Sequence, residues 1–135
     1  MSESISYLNP EGLLQNPAFS QIVVTQGAGK TIYIGGQNAV NPQREVVGKG
    51  DLKAQTEQVM RNIQIALAAC EATTVQLVKL SIHIVQGQNL YEAFQASQAF
   101  LAGQPHPPAI TVLIVAGLAN PDFLVEIDAV AFIPN

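Results

Sequence analysis

One stretch, Phe123-Leu124-Val125-Glu126-Ile127-Asp128-Ala129-Val130-Ala131-Phe132, constrains the fold more than any other. It reads as a β-strand. Alternation places Leu124, Glu126, Asp128 and Val130 on one face, with the two carboxylates about 7 Å apart. The rest of the strand is apolar. A charge in such a setting is costly unless it is paired, hydrated or used. The strand is therefore a core element and a candidate site at the same time.

The chain has 135 residues, a length that suits one compact domain. Only 12% of the residues are charged against 48% hydrophobic, well below the ~25% charge of an average soluble domain. A small protein with so little charge is expected to hide surface in an oligomer. Net charge is -4, and the basic residues Lys30, Arg44, Lys49, Lys53, Arg61 and Lys79 are scattered. Nothing here follows a phosphate backbone, so nucleic-acid binding is not expected. No run of ~18 apolar residues spans a membrane. Met1 to Tyr7 is polar, unlike a secretory signal, and the single Cys70 excludes an internal disulfide. A cytoplasmic location is expected.

Residues 1–17 read as irregular, broken by Pro10, Gly12 and Pro17. Ser20 to Gln26 and Thr31 to Ile34 read as two strands of a hairpin around Gly27 and Gly29, and Glu45 to Val47 as a short third strand. Asp51 to Ala72 is the clearest helix, capped by Asp51, with a stripe of Leu52, Val59, Ile63, Leu67 and Cys70. Val75 to Val85 is a strand with Val78, Leu80, Ile82 and Ile84 on one face. Leu90 to Leu101 is a second helix, stopped by Gly103. Ala109 to Val115 and the opening stretch complete the strands. Two helices among about six strands predict an α+β layer, with both helices on one sheet face and self-association covering the other, which is expected to be apolar too.

Gly36-Gln37 followed by Val40-Asn41-Pro42, Gln55 and Asn62 on the first helix, Leu77-Val78-Lys79, Pro108-Ala109 and Val125-Glu126-Ile127-Asp128-Ala129 occur here in a set order. The set resembles the RidA (YjgF) family from about Phe19 to Phe132. The resemblance implies a chorismate-mutase-like fold assembled as a homotrimer, with clefts between neighbouring subunits. For the best-known branch it implies hydrolysis of 2-imino acids to 2-keto acids and ammonia; for this chain no cofactor or metal is expected. There, an arginine directly after Pro-Ala clamps the substrate carboxylate, and a glutamate on the last strand positions water. A tyrosine, a serine and an asparagine line the cleft. In this chain those positions hold Ile110, Glu126, Phe19, Gly35 and Phe94 respectively. Only the glutamate matches. Isoleucine offers none of the bidentate, charge-assisted bonds of arginine.

The candidate site is thus Glu126 as the catalytic residue, with Phe19, Gly35, Gly36, Phe94, Ile110 and Val112 binding a ligand. Each has a plainer alternative. Glu126 is equally a strand-end carboxylate paired to a backbone amide or to an interface lysine. Phe19, Phe94 and Ile110 equally plug a cleft without a task. Asp128 is expected to be structural, paired to Lys79 or Lys53. His83 reads as an edge or interface residue and His106 as exposed, and their separation argues against a metal site. Cys70 reads as inert core. The glycines lack a following Gly-Lys-Ser/Thr, so they form no phosphate loop.

The leading expectation is a divergent RidA-type homotrimer that binds a small, less acidic metabolite in intersubunit clefts without ordinary 2-imino-acid deaminase activity. An active enamine/imine deaminase is the alternative, and a non-catalytic binding or chaperone-like trimer a third. A ribonuclease role fits poorly with the acidic charge.

Overall fold

A computed structural model describes residues 4–135. Six strands and two α-helices follow one another as β1 (Ile5–Leu8), β2 (Ile22–Thr25), β3 (Gly29–Gln37), α1 (Leu52–Ala69), β4 (Leu77–Val85), α2 (Leu90–Leu101), β5 (Ala109–Val115) and β6 (Val125–Pro134). A 3-10 turn at Thr74–Gln76 leads into β4. The strands divide into a mixed four-stranded sheet, ordered β3-β6-β4-β5, and a two-stranded sheet of β1 and β2. β4 and β5 run parallel and the remaining pairs are antiparallel. The α+β layer with two helices is as the sequence pattern predicts.

The helices form where apolar periodicity and caps coincide. Asp51 accepts from the Ala54 amide at 3.0 Å and opens α1. Leu52, Val59, Met60, Ile63 and Leu67 of α1 are buried against Leu80, Ile82 and Ile84 of β4 and Val125, Ile127, Ala129 and Ala131 of β6. Each of the buried Val, Leu, Ile and Met side chains stabilises the fold by about 1.5–3 kcal/mol. Asn89 caps α2, whose buried residues include Ala93, Ala96, Ser97 and Leu101.

Several local expectations need correction. Residues 5–8 are a strand, so the N-terminal segment is not irregular throughout; residues 1–3 lie outside the described part. β2 pairs with β1, in the register Ile5↔Thr25, and β3 pairs with β6, so no β2–β3 hairpin forms. The Glu45 to Val47 strand reduces to a single bridge between Val40 and Val46. In β4 a bulge after Leu77 turns that residue to the helices beside Leu80, whereas Val78 is only half-buried. Cys70 is the half-buried C-cap of α1 rather than core. The helix-free sheet face is more polar than expected. It presents Lys79, Ser81, His83, Glu126 and Asp128 among Tyr33, Leu113 and Val130, as the alternating burial and the pairing register require.

Candidate functional site

The sheet divides the candidate residues between its two faces. Along β6, Val125, Ile127 and Ala129 turn towards the helices and are buried, so Glu126 and Asp128 turn away from them. Along β5, Ile110 and Val112 pair with Leu80 and Ile82 and share their helix-covered face. The residues expected to form one cleft therefore form two groups within one chain, Phe19, Phe94, Ile110 and Val112 on one side and Gly35, Gly36 and Glu126 on the other.

The first group lines a cavity of about 340 Å³ between α2, β5 and the segment before β2. Phe19, Phe94, Ile110 and Val112 meet there with Ile82 and Ile84. Phe19 is brought over the cavity by local ties to the lead-in of β5. The Ser20 amide donates to the Pro108 carbonyl at 3.0 Å and its hydroxyl to the Pro107 carbonyl at 2.6 Å. Tyr7 of β1 stacks on His106 with ring centroids 4.7 Å apart. Burial raises the pKa of its phenol, which therefore stays neutral at physiological pH. The lining also includes the polar residues Asn16, Thr56, Ser97 and Gln98, but none of its lining side chains is charged. Arg44 lies in the exposed turn after Pro42, and Arg61 pairs with Glu57 on α1 at 3.7 Å. Neither reaches the cavity.

The second group is built on a bulge in β3. Ile34 faces Ala129 and Gln37 faces Ile127, so the β3 side carries one residue more than β6 between these pairs. Gly35 and Gly36 fill the bulge, where the backbone bends; a Cβ at Gly35 would meet open space, but one at Gly36 would not. A Cβ on Gly36 would lie 2.5 Å from Glu126 Oε2, so only glycine lets the carboxylate rest there. Asn38 Nδ2 donates to Glu126 Oε1 at 3.2 Å. The Asn38 carbonyl in turn accepts from Asn62 Nδ2 at 3.0 Å, and Gln58 Nε2 donates to Asn62 Oδ1 at 2.8 Å. A run of carboxamides thus extends from α1 to the carboxylate. Gln55, wholly buried, does similar work nearby. It donates to the Gly48 and Asp122 carbonyls and accepts from the Leu124 amide, which fixes the approach to β6.

His83 lies opposite Glu126 on β4, an inner strand of the sheet, so it is not an edge residue. Its Nδ1 is 3.2 Å from the Glu126 carbonyl oxygen. Asp128 lies opposite Ser81, and among the described residues no salt bridge holds it. Lys79 Nζ donates instead to Thr111 Oγ1 at 2.6 Å. His106 is exposed, as expected, and stacks on Tyr7. Among the described residues no group of His, Cys, Asp and Glu is placed to hold a metal ion, and no helix is long and apolar enough to cross a membrane.

Sequence reasoning missed Asn38, Thr56 and Ser97. Asn38 follows the Gly36-Gln37 motif, but its partner lies 88 positions away. Thr56 sits on the buried side of α1, where helical spacing from Leu52 and Val59 was the available signal.

The sequence profile of the family described as Endoribonuclease L-PSP matches residues 13–133. A RutC family protein of Pyrococcus horikoshii is 29% identical over 78% of this chain and 81% of its own length. Protein DfrA of Myxococcus xanthus is 30% identical over 84% of this chain and 83% of its own. Among solved structures, YyfB of the Rid protein family from Yersinia pestis superposes with a TM-score of 0.86. It is 34% identical and covers 97% of this chain and all (100%) of its own. RidA from an Antarctic Psychrobacter gives a TM-score of 0.69 at 26% identity, covering 88% of this chain and 97% of its own.

Proposed function

Because the chain belongs to the Endoribonuclease L-PSP family, the family of Rid and RutC proteins, we propose that it is a homotrimeric Rid-type protein that binds a small neutral metabolite and lacks ordinary 2-imino-acid deaminase activity. The observation that carries this reading is the uncharged cavity beside Ile110. A carboxylate entering it loses water and meets no cation, and an unpaired buried charge is strongly disfavoured. A neutral, mostly apolar molecule loses little and gains contact with Phe19, Phe94, Ile110 and Val112. The volume falls in the usual range for small-molecule sites.

In the proposed trimer, the helix-free face of one subunit meets the cavity mouth of its neighbour. Gly35, Gly36 and Glu126 then complete the cleft from across the interface. Glu126, oriented by Asn38, is the group available to hold a water or move a proton. Its retention, held at one oxygen and packed at the other, is the observation that favours the second reading, an enamine/imine deaminase.

The test is hydrolysis of 2-iminopropionate and 2-iminobutanoate, generated in the cuvette by a dehydratase. The expected result is no acceleration over buffer. Clear acceleration that disappears in Glu126→Gln would establish the second reading and overturn the first.

A further inference from the structure

The floor of the cavity has a polarity that its apolar walls conceal. Thr56 and Ser97 both line it and are almost wholly buried, at 1% and 4% exposure. Each has turned its hydroxyl hydrogen back onto its own helix. Thr56 Oγ1 donates to the Leu52 carbonyl at 2.8 Å, and Ser97 Oγ donates to the Phe94 carbonyl at 3.1 Å. A hydroxyl carries one hydrogen and two acceptor lone pairs. With both hydrogens committed, the two groups offer a ligand only acceptance. The remaining polar side chains of the lining, Asn16 and Gln98, are exposed and half-buried respectively. Water reaches them, so they discriminate little between head groups.

We propose that the cavity selects neutral ligands that present an N–H or O–H donor to Thr56 and Ser97. The ligand class is a small apolar body, aromatic or aliphatic, with one uncharged donor such as a heteroaromatic N–H, an amide or a phenol. This rests on the neutral-ligand reading above and goes further by fixing the polarity of the head group. An ether or ester oxygen at the floor would face lone pairs and stay unpaired after losing its water, which is the costly half of hydrogen-bond formation. A carboxylate would face the same lone pairs with no cation to offset them.

Three bicyclic probes of matched shape test this by calorimetry and ligand-observed NMR on the whole protein: indole, benzofuran and indole-2-carboxylate. Indole is expected to bind about 5- to 10-fold more tightly than benzofuran, and the carboxylate most weakly. Thr56→Val and Ser97→Ala keep the shape of the floor and remove one hydroxyl each. Either is expected to lower the indole-to-benzofuran ratio, and the double variant to bring it near one, with benzofuran affinity maintained. Equal binding of indole and benzofuran to the unmodified protein would overturn donor selection and leave the neutral-ligand reading standing. A ratio unchanged in both variants would overturn the assignment to these hydroxyls. Tightest binding by the carboxylate, or no saturable binding by any probe, would bring down the neutral-ligand reading and this inference with it.

Discussion

The two faces of the four-stranded sheet are made from the same strands and serve opposite ends. Towards the helices, Ile127 and Ala129 are buried with Leu80 and Ile82, and the face is apolar. One residue along in each strand, Glu126 and Asp128 stand opposite His83 and Ser81, without helical cover. The helix-covered face carries stability and, where α2 parts from β5, a cavity. The helix-free face carries the titratable groups and is only partly buried. Period-two alternation separates packing from chemistry within a single strand, so a one-residue change of position decides which role a side chain has.

That contrast is open to direct challenge. The largest effect is expected from Ile127→Ala, which should cost about 2–5 kcal/mol in urea unfolding because it opens a void in a packed layer. Asp128→Ala, its neighbour on the other face, should change stability by less than about 0.5 kcal/mol. Equal losses would mean that the faces are not distinct.

Next in size is Gln55→Ala. It leaves the Gly48 and Asp122 carbonyls and the Leu124 amide without their partner, and a loss of roughly 2–4 kcal/mol is expected in the same assay. A negligible loss would show that water replaces the clamp. Ile110→Arg tests the cavity. It should raise affinity for a small carboxylate such as benzoate by about tenfold or more, through charge-assisted bonds, while weakening neutral ligands. Unchanged benzoate affinity in titration calorimetry would show that position 110 does not govern the charge of the ligand. A smaller loss of stability than at Ile127 or Gln55, about 1 kcal/mol, is expected for Gly36→Ala. Its methyl group would displace the Glu126 carboxylate, and a crystal structure of the variant should show the Asn38–Glu126 hydrogen bond broken. An intact bond would mean that the bulge adapts.

How far the sequence disclosed this arrangement depended on the range of each interaction. The α1 stripe of Leu52, Val59, Ile63 and Leu67 was legible because helical period is local. β1 was not, since four residues before Pro10 and Gly12 carry too little pattern. The pairing of β2 with β1 rather than β3 was hidden for a related reason: adjacent strands suggest a hairpin, and only tertiary packing says otherwise. Phe19, Gly35, Gly36, Phe94, Ile110, Val112 and Glu126 were readable in the sequence only as one candidate set. Their division between opposite faces was not, because it depends on strand order and on the helices covering one face. The Asn38–Glu126 bond joins residues too far apart in sequence for local reasoning.

Two groups on opposite faces of one sheet cannot enclose one ligand unless a second copy brings them together. The most direct test of the account is therefore the molar mass in solution, by light scattering across a range of protein concentrations. A trimer is expected, at about three times the 14.4 kDa of one chain. A mass that stays at that of the single chain would contradict it, leaving Glu126 and the cavity as unrelated features of a monomer.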